Sequence, residues 1–138
     1  MKKLLFAMIL ASLCSIAQAQ KADIKFEKTT YDMGTFAPDT AIIKCKFVYK
    51  NTGKAPLYIH EVRTSCGCTQ RSFKTGPTMP GESDTIFVTY NGTKKSPGFL
   101  RRCITVHCNA PKEMYTLIIK GYMLEAKITP TEEAFTEE

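Results

Sequence analysis

The chain has 138 residues with a formal charge of +6, six cysteines and no tryptophan, a length that suits one domain with its own core. Beyond Lys2 and Lys3 its cations are spread through strand-like segments, with only Lys94-Lys95 and Arg101-Arg102 adjacent, which excludes the concentrated basic arm of a nucleic-acid binder. No apolar run approaches the roughly 20 residues of a membrane span.

Residues 1–19 read as a secretory signal peptide. Lys2 and Lys3 open it, Leu4 to Ile16 form a short apolar run, and Ala17-Gln18-Ala19 is a small-x-small cleavage site. A lipoprotein cut before Cys14 is the lesser alternative, because Leu13 occupies the place where that cut wants a small residue. Cleavage after Ala19 leaves residues 20–138 and lowers the formal charge from +6 by two, to +4. The expected compartment is the periplasm, the cell envelope or the exterior.

Beyond the signal, apolar residues alternate with period two, the mark of half-buried strands. Ile43, Cys45, Phe47 and Tyr49 share one face, with Lys44, Lys46 and Lys50 on the other. Ile86, Val88 and Tyr90 repeat the pattern, as do Leu100, Ile104, Val106 and Cys108, and then Leu117 with Ile119. Strands are predicted near 23–28, 31–37, 41–50, 56–63, 83–91, 99–108 and 114–125. Asn51-Thr52-Gly53, Gly76-Pro77, Pro80-Gly81, Asn91-Gly92, Pro97-Gly98 and Asn109-Ala110-Pro111 punctuate them with turn chemistry. Seven or eight short strands without a helical stripe predict an all-β, immunoglobulin-like β-sandwich over residues 20–126. The missing tryptophan excludes the tryptophan-on-disulfide core of antibody domains. Residues 127–138 read as a flexible acidic tail.

Four motifs occur in order: Thr30-Tyr31-Asp32-Met33-Gly34, Phe47 through Leu57 with its Asn51-Thr52-Gly53 turn, Thr64-Ser65-Cys66-Gly67-Cys68-Thr69, and Pro80-Gly81-Glu82-Ser83. This ordered set resembles the exported bacterial family called domain of unknown function 1573, over roughly Ile24 to Tyr122. The resemblance implies an immunoglobulin-like sandwich similar to the Asn-Thr-Gly modules of cilia and sperm proteins, which serve as binding or scaffolding units. It implies no catalytic mechanism. Met33 stands where the family commonly has an aromatic residue, and Cys45, Cys103 and Cys108 lie outside the shared motifs.

Cys66-Gly67-Cys68 supports three readings: a disulfide across one residue, a soft-metal site for Cu(I) or Zn(II), or a tight turn with two small thiols. An extended strand holds such side chains apart, whereas a turn at Gly67 brings them together. An oxidising compartment favours the disulfide or the structural turn over metal or catalytic redox chemistry. With Cys14 removed, five cysteines remain, so one is free, metal-bound or paired with another molecule. Cys45 and Cys108 both lie on apolar strand faces, and either bridge the sheets or stay as buried thiols. Cys103 faces outward with Thr105 and His107, and the topology expected would bring it to the Cys66–Cys68 end. A three-thiol cluster with His60 or His107 nearby is therefore the candidate site for copper or zinc.

Asp39-Thr40-Ala41 and Asp84-Thr85-Ile86 resemble a short O-glycosylation acceptor of exported bacterial proteins, which makes Thr40 and Thr85 candidate modification sites. Asn91-Gly92-Thr93 fits an N-glycosylation pattern and, better, a turn. Two histidines without ligand spacing, and serines and threonines outside any catalytic motif, leave no catalytic residue and no cofactor to name. The expectation is an exported, non-catalytic binding or structural module of the periplasm or envelope. Its partner would be an envelope protein or surface polymer, met through sheet edges or loops, and not a nucleic acid. The alternative is soft-metal binding or thiol redox chemistry at Cys66 and Cys68.

Overall fold

The alternation read from the sequence resolves into eight strands in the computed structural model, which describes residues 19–127. They are β1 (Ile24–Phe26), β2 (Thr30–Phe36), β3 (Ile42–Asn51), β4 (Ile59–Thr64), β5 (Thr69–Ser72), β6 (Ser83–Asn91), β7 (Gly98–Cys108) and β8 (Met114–Met123). One sheet has the order β1-β3-β6-β5 and the other β2-β8-β7-β4, so the expected all-β sandwich is the fold. Pairing is antiparallel except for β2, which runs parallel to β8. The expected signal segment and acidic tail, apart from Ala19 and Lys127, lie outside the described residues. Among the described residues no helix is long and apolar enough to cross a membrane.

The predicted phases hold in the core. Cys45, Phe47 and Tyr49 of β3 and Ile86, Val88 and Tyr90 of β6 turn inward from one sheet. Ile104, Val106 and Cys108 of β7 and Leu117 and Ile119 of β8 turn inward from the other. With no indole present, tyrosine fills its place. Tyr49 is buried, its hydroxyl is hydrogen-bonded to the Thr78 hydroxyl at 3.1 Å, and Tyr90 meets Phe36 edge-on. Burying a phenol with its hydroxyl satisfied adds apolar area without leaving an orphan polar group.

Two details depart from the sequence reading. The segment 56–63 does not start as a strand: Leu57 makes a single bridge to Thr78, and β4 begins at Ile59. β5 was not among the seven predicted strands, because Thr69-Gln70-Arg71-Ser72 shows no apolar alternation. It is a strand through its partner, taking register from β6 with Thr69 opposite Tyr90 and Ser72 opposite Phe87.

Candidate functional site

Two of the ordered motifs, Phe47 through Leu57 and Pro80 through Ser83, meet at one end of the sandwich, at Asn51. This side chain is wholly buried and fully engaged. Its amide nitrogen donates to the carbonyls of Ala55 and Thr78, both at 2.8 Å, and its oxygen accepts from the Gly53 N–H at 2.9 Å. The Asn51 backbone donates to the Glu82 carbonyl and accepts from the Gly81 N–H, each at 2.9 Å. Gly81 can make that turn because its φ is +82°, a region that favours glycine. At Gly53 a Cβ would overlap the backbone of Lys21 to Asp23, so only glycine admits that segment, which leads into β1. The Glu82 carboxylate closes the same turn on the Met79 N–H at 2.9 Å. The residues that mark the sequence thus act as a clasp joining three connections. Asp32 works similarly at the β2 irregularity, accepting from the Gly34 N–H at 2.8 Å. That bond, with Lys120 beside it, holds the Asp32 carboxyl below the usual carboxylate range.

At Cys66-Gly67-Cys68 the chain passes from β4 in one sheet to β5 in the other. Cys66 and Cys68 are joined as a disulfide across a turn, with Cα atoms 5.2 Å apart. The Thr69 N–H donates to the Cys66 carbonyl at 3.1 Å, which closes the turn. Ser65 donates its N–H to the Cys103 carbonyl on β7, and the Asn91 N–H of β6 donates to the Cys68 carbonyl. The turn is therefore stitched to both sheets.

Cys103 does lie beside this turn, half-buried and unbridged, with its N–H donating to the Ser65 hydroxyl at 3.3 Å. The histidines do not. His107 is four residues along β7 from Cys103, about 13 Å at strand rise, and lines a cleft with His60. Among the described residues no three His, Cys, Asp or Glu side chains are placed to hold a metal ion. Cys45 and Cys108, for which a bridge and free thiols were both open, are two buried, unbridged thiols. Cys108 lies toward Tyr49, and Cys45 is four residues up β3 from it, about 13 Å. Burial pushes the Cys45 thiol up to about 11 and raises that of Cys108, which keeps both protonated at neutral pH.

The cleft with the histidines has a volume of about 730 Å³ and is also lined by Lys21, Glu61, Arg63 and Glu113. Glu61 sits directly opposite His107 and is committed to Arg63 at 2.9 Å, so its charge is already paired. Of the modification candidates, Thr40 is exposed as the last residue of the short 3₁₀ turn Pro38–Thr40, while Thr85 is half-buried in β6 opposite Val48. The Asn91 side chain accepts from the Thr93 N–H at 3.0 Å, which is the local geometry of a turn.

One arrangement was not legible in the sequence. Four of the cations read there as scattered share the outer face of the β1-β3-β6-β5 sheet. Lys44, Lys46 and Lys50 point out from β3, and the β1 register sets Lys25 directly opposite Lys50. Strand phase showed the first three; only the cross-strand register brings in the fourth.

Residues 24–123 match the family described as protein of unknown function (DUF1573). The chain belongs to this family. The matched span begins with β1 and ends with β8, so the family unit is the whole sandwich. Among solved structures, the chain is similar to a protein of unknown function from Porphyromonas gingivalis W83, at 21% identity and a TM-score of 0.64. That likeness covers 78% of this chain and 50% of the other, so the chain spans half that protein's length. It is also similar to an ASH / PapD-like domain of human CEP192, at 12% identity and a TM-score of 0.61, covering 78% of this chain and 89% of that one. The E. coli chaperone DraB aligns at 11% identity with a TM-score of 0.51, over 74% of this chain and 54% of its own. These likenesses place the fold among PapD-like and immunoglobulin-like sandwiches. No curated protein matches the chain at a significant level.

Proposed function

We propose that this DUF1573 domain is an exported, non-catalytic binding or structural module of the periplasm or cell envelope. The observation that carries this reading is how the marked residues are used. Asn51, Gly53, Gly81, Glu82 and Asp32 are spent on holding turns, and the buried thiols of Cys45 and Cys108 stay protonated. What remains available is surface. β5 is a short edge strand whose Gln70, Arg71 and Ser72 are exposed, and its outer backbone groups are open to an added strand. Photo-reactive residues placed singly at Gln70, Arg71 and Phe87 should each be tested in the native envelope fraction. A discrete, saturable adduct at one or more positions is the expected result; none at any position would overturn the binding reading.

A second reading is supported by the Cys66–Cys68 disulfide, half-exposed in its turn beside the unbridged Cys103. Thiol redox chemistry, or soft-metal capture after reduction, would act there. It predicts a reversible two-thiol change or stoichiometric copper or zinc, abolished by Cys66→Ser. A binding module predicts that Cys66→Ser alters stability only.

A further inference from the structure

The outer faces of the two sheets differ in how their charges are paired. On the β2-β8-β7-β4 face, Arg63 is paired with Glu61 at 2.9 Å and Lys120 with Asp32 at 3.4 Å. On the β1-β3-β6-β5 face, Lys25, Lys44, Lys46 and Lys50 are all exposed. Among the described residues none of them has a carboxylate within 4.0 Å; the remaining ion pair, Lys74 with Asp84, involves none of the four. Two carboxylates share the face: Asp23, exposed and two residues before Lys25 in the same phase, and Glu27, whose N–H bonds to the Val48 carbonyl at the β1 edge. Four ammonium groups against two carboxylates leave a local excess of two positive charges.

The layout of these cations narrows the ligand. Lys44, Lys46 and Lys50 follow β3 in a line of about 20 Å at strand rise. Beside the line run Ser72, Ser83, Thr85 and Thr89, which offer hydroxyls. Phe87, directly opposite Lys46 and 53% exposed, gives the face an apolar platform at its centre. A flat sheet face offers no helix or ribbon to enter a duplex groove. One aromatic platform is fewer than successive stacked bases of a single strand require. The cations of the row are all lysines, compact point charges that suit spaced carboxylates or sulfates better than bidentate recognition.

We infer that the β1-β3-β6-β5 face binds an extended anionic polysaccharide, with Lys25, Lys44, Lys46 and Lys50 holding its acid groups and Phe87 carrying the apolar face of a sugar ring. This rests on the binding-module reading and specifies its partner. Attraction of this kind raises encounter rates and is screened by salt.

The test uses the full chain and three probes: polygalacturonate, neutral dextran and a single-stranded oligothymidylate. Binding to polygalacturonate should weaken about 50-fold between about 50 mM and 200 mM salt if four cations engage. For the double variant Lys44→Gln with Lys46→Gln the same change should weaken it only about sevenfold. Phe87→Ser should lower affinity several-fold without altering the salt dependence. Lys112→Gln, at the β7–β8 turn, should bind as the native chain does. Native salt dependence in the double variant, equal binding of oligothymidylate, or no binding of polygalacturonate would each overturn the proposal. A discrete photo-adduct from the β5 edge alongside such a failure would leave the binding module standing and remove only the polysaccharide.

Discussion

At the scale of single residues, Asn51 carries the most structure for its size. Replacing it with Ala removes four side-chain hydrogen bonds, the one from the Asp23 N–H being long at 3.5 Å, and leaves the Thr78 carbonyl with the Leu57 N–H as its remaining donor. At about 1 kcal/mol per bond, Asn51→Ala should destabilise the fold by about 3–4 kcal/mol in urea unfolding. Arg102 runs the other way. It takes an inward position on β7 opposite the buried Ile119, and its Nε is buried without a partner. Arg102→Met keeps the stem and removes the orphan donor, so it should raise stability by about 1 kcal/mol in the same assay. Cys45 contributes at alkaline pH. Burial lifts its folded value to about 11 from the ordinary 9.0, so the unfolded chain ionises first. Its contribution is complete below about pH 9 and is lost as pH rises through about 11, a change of about 3 kcal/mol. Cys45→Val should flatten that part of the stability–pH curve relative to the native chain; an unchanged slope would refute the assignment.

At the scale of elements, β3, β6, β7 and β8 were legible because each buries one face and therefore alternates. β5 was not, because a polar edge strand has no buried face to write into its sequence, and its identity comes from β6. The clasp was half legible. Asn51-Thr52-Gly53 and Pro80-Gly81-Glu82 read as turns, but their meeting spans 27 residues from Asn51 to Thr78 and follows only from the sandwich. The lysine row was legible in its three β3 members and not in the fourth, for the same reason: register across strands, not spacing along one, brings Lys25 to Lys50. At the β4–β5 turn, the Cys66–Cys68 bridge closes so short a loop that it restricts the unfolded chain little. Cys66→Ser with Cys68→Ser should cost only about 1–2 kcal/mol. A loss several times larger would mean the bridge orders both sheets.

At the scale of the whole molecule, two sheets meet across a core of Phe47, Tyr49, Ile86, Val88, Ile104, Val106, Leu117 and Ile119. Ile104 is fully buried between Val62-containing β4 and Leu117 of β8, and Ile104→Ala should cost about 2–5 kcal/mol in a single cooperative transition. The disulfide joins residues two apart in one turn, and the two core thiols stay unbridged. No covalent link among the described cysteines ties distant parts of the chain together, so the order in which strands assemble owes nothing to oxidation. Reductant can open the 66–68 bond without unlinking one sheet from the other. The same architecture should therefore form in a reducing cytosol and in an oxidising medium, which makes the domain portable between compartments and simple to produce in ordinary bacterial hosts.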